Sequence, residues 1–175
     1  LLLTYYGPIP IVDENLPISA TDQQVRVTRK PIDECFDYIV NTIDEAIIDL
    51  PIRVLNSNDL GRIDQVIAKS IKSRVLLYAA SPLFNGNSEM YSDFVDENGQ
   101  HYFNQSYDPL KWDLARDASL DAINASLESG INLYQFISAP PSFDSQNFQY
   151  EFIRKQYDVK YSIVDRWNSE LIWGN

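Results

Sequence analysis

The sequence predicts a mostly α-helical protein, and two observations carry that prediction. Three long stretches place apolar residues at three- and four-residue steps, the spacing that puts them on one face of an α-helix. Each stretch also begins at an aspartate or a proline and ends at a proline or a glycine, residues that favour helix starts and stops. The predicted helices span residues 32–50, 64–81 and 109–129.

Before the first of these helices the chain is expected to be extended. Residues 1–5 resemble the last turn of a helix, and in residues 7–31 Pro8, Pro10 and Pro17 fix the backbone and lack an amide donor. The apolar side chains of this segment are expected to pack on helices rather than to join a sheet: Ile9, Ile11 and Val12.

The helix over residues 32–50 has the longest continuous stripe. Pro31 suits the first turn, and the acidic residues Asp33 and Glu34 are favourable near the positive N-terminal end. Cys35 lies on the stripe, which predicts a small buried core residue, with a reactive thiol as the alternative. The stripe consists of Ile32, Cys35, Phe36, Ile39, Val40, Ile43, Ala46, Ile47 and Leu50.

The helix over residues 64–81 has a clear beginning and end. Asp64 is a good N-cap, because its carboxylate accepts from free amides of the first turn, and Pro82 disfavours helix at the residue before it. Val75 and Ala79 are expected to be buried against the preceding helix, around Ile39, Ile43 and Ile47. The apolar face of this helix is Ala68, Ile71, Val75, Leu76 and Ala79.

A hairpin is predicted between the second and third helices, within residues 82–107. Apolar residues flank residues 96–99, whose Asp-Glu-Asn-Gly sequence is a strong turn signal. A calcium loop is the weaker alternative here, because the EF-hand spacing and its closing glutamate are missing. His101 is the one histidine of the chain, and we expect it on the surface of the hairpin rather than in a catalytic site.

The third helix, over residues 109–129, completes a pattern of helix-turn-helix units. Asp108 and Pro109 suit its start, and Gly130 suits a left-handed C-terminal position. The first two helices start 32 residues apart, close to the period of about 34 in tetratricopeptide repeats. The sequence therefore predicts tetratricopeptide-like helical repeats, although no strict repeat is visible.

Residues 131–175 are rich in aromatic side chains, and a helix is expected around 146–157. Aromatic faces stack on the C–H surfaces of sugars, but they equally fill cores. Trp173 is expected in the core. The candidate ligand-binding residues are Tyr157, Tyr161, Arg166 and Trp167.

The composition excludes several classes of protein. The net charge of −11 argues against nucleic-acid binding, which usually needs a basic face, and a single cysteine allows no intrachain disulfide. No nucleophile elbow, metal-ligand cluster, phosphate loop or dinucleotide turn is visible. We therefore expect no enzymatic activity, no cofactor and no metal. The chain begins without Met or a signal-like region and stops in the hydrophobic run 171–173, so we expect an internal fragment with exposed apolar surface at both ends.

Five patches in order along the chain resemble the SusD/RagB family. The most specific is Gly-Arg at residue 61 before a capped helix, followed by Ser-Arg-Val-Leu-Leu-Tyr-Ala-Ala-Ser-Pro-Leu-Phe-Asn-Gly over residues 73–86. The other patches are Tyr-Gly-Pro-Ile-Pro-Ile-Val over 6–12, Ile-Asp-Glu-Ala over 43–46 with Leu-Pro at 50–51, Asp-Pro-Leu-Lys-Trp over 108–112 with Ala115, and Trp-Asn-Ser-Glu-Leu-Ile-Trp over 167–173.

This resemblance implies a fold, a function and a location. The chain would be the internal part of one SusD-like domain, with a helical-repeat core over about 32–130 and a loop and aromatic segment over 131–175. It would belong to a non-catalytic surface lipoprotein of the outer membrane that binds oligosaccharide and caps a SusC-like TonB-dependent transporter, with its lipid anchor outside this sequence. The alternatives are a peptide-binding member of the RagB type and a helical-repeat scaffold that binds only protein.

Overall fold

The computed structural model of the chain describes residues 2–56, 58–136, 148–165 and 168–173. Within these ranges the protein has seven α-helices and no β-strand, so the mostly α prediction is confirmed. The helices are α1 (Leu2–Tyr6), α2 (Asp22–Val25), α3 (Ile32–Asp49), α4 (Gln65–Ala80), α5 (Ser88–Tyr91), α6 (Leu110–Glu128) and α7 (Phe148–Val164).

The three long predicted helices form within one residue of their expected bounds, because their ends are locally encoded. The carboxylate of Asp64 accepts a hydrogen bond of 2.9 Å from the amide of Ile67 at the start of α4. The carboxylate of Asp108 accepts one of 2.9 Å from the amide of Leu110 at the start of α6. Gly130, after the end of α6, has a φ of +77°, a conformation that glycine adopts without steric cost.

Helices α3, α4 and α6 pack together, with α4 between the other two. The side-chain amide of Gln65, at the start of α4, donates to the carbonyls of Ile47 and Leu50 at the end of α3, so these two helices are antiparallel. Small side chains face the α4–α6 contact: Ala115, Ala122 and Ser126 are buried, and the hydroxyls of Ser73 and Ser119 lie 2.8 Å apart. Small residues at a contact let helix axes approach closely.

The main core cluster lies where the N-terminal end of α3 meets the C-terminal end of α4 and the hairpin. Phe103, from the hairpin, stacks on Tyr91 at 3.9 Å between ring centroids. Phe36 and Phe84 meet edge to face at 5.4 Å. The buried members are Leu3, Ile32, Cys35, Phe36, Ala79, Phe84 and Phe103.

Two packing predictions are tested by this cluster. Cys35 is buried as expected, and its burial raises the pKa of the thiol, which keeps it in the unreactive protonated form. Ala79 is buried and Val75 is partly buried, but both pack with the cluster around Phe36. Because α3 and α4 are antiparallel, Ile47 lies near the start of α4, so the expected contact of Ala79 with Ile43 and Ile47 is wrong. The expected neighbourhood of Ile39 is confirmed, since Ile39 packs against the same cluster as Val75 and Ala79.

The segment over residues 7–31 differs from its prediction in two details. Ile9 and Ile11 pack against the core cluster as expected, but Val12 is exposed. The short helix α2 interrupts the segment, which was predicted to be non-helical. Its first turn is held by Gln24, whose side-chain oxygen accepts from the amide of Thr21 at 2.9 Å.

The predicted hairpin is present as one antiparallel bridge between Val95 and His101. The carboxylate of Asp96 accepts from the amides of Asn98 and Gln100 at 2.8 Å, which lowers the pKa of that carboxyl group. This arrangement is a plain turn, because the Asp96 carboxylate accepts hydrogen bonds from amides of the turn itself. His101 is exposed on the hairpin, as predicted.

Candidate functional site

The candidate site lies where residues 131–136 run alongside α7 and the residues after it. Three alternate amides of this segment are engaged. The amide of Asn132 donates to the carbonyl of Ser169 at 2.9 Å, that of Tyr134 to the carboxylate of Glu170 at 3.2 Å, and that of Phe136 to the carboxylate of Asp158 at 2.7 Å. The carboxylates of Glu170 and Asp158 therefore accept hydrogen bonds that, in a β-sheet, backbone carbonyls of a neighbouring strand would accept.

The side chains of Phe136, Tyr157 and Tyr161 form a cluster that we call the aromatic triad. Tyr157 and Tyr161 are four residues apart and so lie on one face of α7, with ring centroids 5.8 Å apart. Phe136 stacks on Tyr161 at 4.4 Å and 21° between ring planes, and tilts against Tyr157 at 5.2 Å. All three rings are half-buried, so part of each remains open to a ligand.

Charged groups surround the triad. The ammonium of Lys160 lies 5.5 Å from the centroid of Tyr161. The hydroxyl of Tyr134 donates to the carboxylate of Asp165, and this bond raises the pKa of Tyr134 to about 12. Beyond the end of α7, the side-chain amide of Asn168 donates to the carbonyls of Ser162 and Asp165 at 2.7 and 3.1 Å, which fixes the chain there.

The structure brings together two of the four residues that the sequence suggested. Tyr157 and Tyr161 are neighbours in the triad, whereas Arg166 and Trp167 lie outside the described residues. Sequence reasoning missed Phe136 and Tyr134. Their signal was their two-residue spacing, four and six residues after the helix-ending Gly130, which in an extended segment places them on one side.

The prediction that Trp173 lies in the core is wrong. Its side chain is 52% exposed, and its indole N–H donates to the carbonyl of Gly61 at 3.0 Å. An indole that is fully buried must find a partner for this N–H inside the protein. Here the hydrogen bond is made at the surface, where it ties the C-terminal residues to the loop before α4.

A groove of about 490 Å³ between α4 and α6 adjoins the segment 131–136. Its floor carries the hydroxyls of Ser73 and Ser119, and Ile131, Leu133 and Ile172 contribute to its walls. The hydroxyl of Ser119 donates to the carbonyl of Ala115 at 2.6 Å, so in its contact with Ser73 the Ser73 hydroxyl is the donor. Glu170 and Ile172, from the end of the described chain, line this groove together with residues of α4 and α6.

The geometry around the triad suits binding by stacking and hydrogen bonding. Aromatic faces and acidic oxygens lie side by side, which is the surface that a ligand with C–H faces and hydroxyl groups needs. Among the residues that the structure describes, no group of three or more histidine, cysteine, aspartate or glutamate side chains is placed to hold a metal. In the same part of the chain, no helix combines the length and apolar composition that crossing a membrane requires.

Comparison with known proteins gives matches among solved structures. No family model and no curated protein sequence matches the chain. The chain is similar to BT4246, a Bacteroides thetaiotaomicron protein, at 33% identity and a TM-score of 0.82, over 98% of this chain and 32% of that one. It is similar to selenomethionine BT4246 at 31% identity and a TM-score of 0.72, over 92% of this chain and 28% of that one.

This chain therefore spans about a third of the length of the protein that it matches. Over that part it shares both fold and sequence with BT4246, which is consistent with a protein of Bacteroidetes origin.

Proposed function

We propose that this chain is part of a non-catalytic glycan-binding protein of the SusD/RagB type, and that the aromatic triad contributes to ligand capture. The five ordered sequence patches support the family, and the similarity to BT4246 over 98% of the chain is compatible with it. The observation that carries the binding role is the triad itself, three half-buried rings assembled from two separate segments.

The chemistry of the triad matches an oligosaccharide. The C–H faces of a pyranose ring are apolar and stack on aromatic rings, while its hydroxyls need acceptors and donors at the edge. Asp158 lies next to the triad and uses one carboxylate oxygen on the amide of Phe136, at 2.7 Å. A carboxylate has capacity for several hydrogen bonds, so sugar hydroxyls have an acceptor beside the stacked rings.

Calorimetry on the full-length protein with pools of oligosaccharides, and with peptide pools in parallel, tests this proposal. Once a ligand is found, Tyr161→Ala is expected to weaken its affinity by about three- to tenfold, because one stacked ring is lost. Phe152→Ala is the matched control. Phe152 is a 60% exposed aromatic residue on the same helix, and its nine-residue separation from Tyr161 places it roughly 180° away around the helix axis.

The outcomes separate the alternatives. Unchanged affinity in both Tyr157→Ala and Tyr161→Ala would assign these rings to packing alone. Binding of peptides rather than glycans would favour the RagB type. Binding of neither class would favour a helical-repeat scaffold for proteins.

We also propose that the exposed charges of α3 and α6 face the transporter partner, with the protein held at the outer membrane by a lipid anchor. Asp37 and Glu45 on α3 are exposed, and Arg116 on α6 bonds to the neighbouring Asp113 and Asp117. Reversing several of these charges is expected to reduce co-purification with a SusC-like transporter, with unchanged ligand affinity. Intact complexes after these reversals would contradict the assignment of this face.

A further inference from the structure

The chain contains two Asn-Gly pairs, Asn85-Gly86 and Asn98-Gly99. In such a pair the backbone nitrogen of the glycine can attack the side-chain carbonyl of the asparagine, because glycine has no Cβ to hinder the approach. The reacting atoms are the same in both pairs, so the fold decides whether each of them reacts. The contacts that distinguish the two pairs are all made by residues 80–108.

The fold locks the side chain of Asn85. This side chain is 3% exposed, and its nitrogen donates to the carbonyls of Asp108 at 2.8 Å and Ala80 at 3.5 Å. Its oxygen accepts from the amide of Asp108 at 2.9 Å. The backbone of Tyr107 packs so closely on Gly86 that even a Cβ at Gly86 would overlap it. Asn85 therefore cannot turn towards the nitrogen of Gly86 without breaking the contact between the end of α4 and the start of α6.

Asn98 lies in the opposite situation, at the tip of the hairpin over residues 96–99. Its side chain is exposed, and its nitrogen donates to the carboxylate of Asp96 at 3.5 Å, a long and therefore weak hydrogen bond. The amide of Gly99 donates to the carbonyl of Asp96 at 3.1 Å, and a Cβ at Gly99 would meet no atom within 4 Å. Because the described hairpin has one bridge, between Val95 and His101, opening of the tip breaks few bonds.

We propose that Asn98 is a site of spontaneous deamidation in the folded protein, and that the fold protects Asn85 from the same reaction. The nitrogen of Gly99 loses its proton to solvent base and bonds to the side-chain carbonyl carbon of Asn98. The side-chain nitrogen takes up a proton and leaves as ammonia, which closes a five-membered succinimide ring. Water then adds to either carbonyl of the ring and opens it. The product at position 98 is an aspartyl or an isoaspartyl residue, and water is the only co-reactant.

The reaction changes the tip of the hairpin. An isoaspartyl residue lengthens the main chain by one carbon, whereas the carboxylate of Asp96 accepts from the amides of Asn98 and Gln100 at 2.8 Å each only at the normal spacing. The new carboxylate also lies beside that of Asp96 and repels it. The base of the hairpin stays anchored, because the carbonyl of Tyr102 accepts from the amide of Ile32 at 2.8 Å. The amide of Gln100 is therefore expected to lose protection from hydrogen exchange.

The test incubates the folded full-length protein in mildly alkaline buffer made with water of the heavy oxygen isotope. Digestion in ordinary water and peptide mass spectrometry follow. The peptide that contains residue 98 is expected to gain the mass of one deamidation with one heavy oxygen, at least about tenfold faster than the peptide that contains residue 85. In urea, where neither pair is protected, the two peptides should convert at similar rates.

Asn98→Gln is the matched control, because its longer side chain would have to close a six-membered ring. It should remove the fast conversion and leave the peptide of Asn85 as it is in the wild type. Labelling of the aged, folded protein by protein isoaspartate methyltransferase gives a second measurement, and the label should be lost in Asn98→Gln.

Three results would overturn the proposal. Conversion of Asn98 in urea but not in the folded protein would show that the tip is held closed in the full-length chain. Equal conversion of the two pairs in the folded protein would show that the contacts of Asn85 give no protection. Equal methyl labelling of the wild type and Asn98→Gln would place the isoaspartyl product elsewhere.

Discussion

Helices α3, α4 and α6, which form the bundle, each contain buried side chains, whereas no described side chain of α7 is buried. Ile32, Val66 and Ala80 of the bundle are completely buried. On α7, Val159 and Ile163 are 66% and 83% exposed. The polar contacts of the two regions also differ. Ion pairs such as that of Lys72 with Asp44 join helices of the bundle, whereas on α7 the carboxylate of Asp158 accepts a hydrogen bond from a backbone amide.

This difference separates the bundle, which stabilises the fold, from α7, whose described side chains all remain at least partly exposed to solvent. Burial of apolar area is the main favourable term in folding, so most of the free energy of unfolding should come from the bundle and the core cluster at its end. The aromatic triad and its neighbouring hydrogen bonds fix the shape of a surface, and they bury less apolar area than the bundle does. Substitutions in the two regions are therefore expected to affect different measurements.

The largest effect on stability is expected from Phe103→Ala. Phe103 is 2% exposed, stacks on Tyr91 and contacts the rings of Phe84 and Phe94, so its loss leaves a cavity within an aromatic cluster. The free energy of unfolding should fall by about 3–5 kcal/mol in urea melts. The control Phe152→Ala, on the exposed side of α7, should change it by less than about 0.5 kcal/mol. Similar losses in both variants would contradict the division between the regions.

A smaller effect is expected from overpacking the contact between α3 and α4. Ala79 is 6% exposed and belongs to the core cluster with Phe36, so Ala79→Leu adds three carbons at a buried position between the two helices. The free energy of unfolding should fall by about 1–3 kcal/mol in urea melts. Ala46→Leu makes the same change at an exposed position of α3 and should be nearly neutral. A fully tolerated Ala79→Leu would show that the two helices are less closely packed here.

The helices of the bundle could be predicted because their information is local. The stripe of α3 and the caps of α4 and α6 specify each helix without knowledge of its partners. Helix α2 was missed, because its four residues depend on a Thr21–Gln24 capping contact rather than on a stripe. Helix α7 extends seven residues beyond the expected end at 157, and no proline or glycine follows that position before Gly174.

The candidate site could be predicted only in part, because it depends on tertiary contacts. Tyr157 and Tyr161 share a helix face, so their spacing was visible in the sequence. Phe136 joins them from 21 residues away in sequence, through a hydrogen bond between its amide and Asp158 that no local pattern indicates. Trp173 was misplaced because its size favoured the core, while the hydrogen bond of its indole to Gly61 holds it at the surface.

The smallest expected effect concerns the hydrogen bond between Tyr134 and Asp165, which belongs to the C-terminal region alone. Donation to the carboxylate, followed by desolvation and the charge of Asp165, raises the pKa of Tyr134 from 10.0 to about 12. Since the folded pKa lies above the unfolded one, the bond contributes stability in full below about pH 10, and that contribution is lost as the pH rises through about 12.

Asp165→Asn removes the negative charge and should return the pKa of Tyr134 towards its ordinary value. At pH 11 the variant should therefore show close to one more ionised tyrosine than the wild type in the ultraviolet absorbance of tyrosinate. Asp117→Asn is the matched control, because that exposed carboxylate bonds to Arg116. Equal absorbance in Asp165→Asn and the wild type would contradict the contact. At pH 7 the bond contributes in full, so Asp165→Asn should be less stable than the wild type in urea melts, by less than Ala79→Leu, and residues 131–136 beside the triad should lose protection in amide hydrogen exchange.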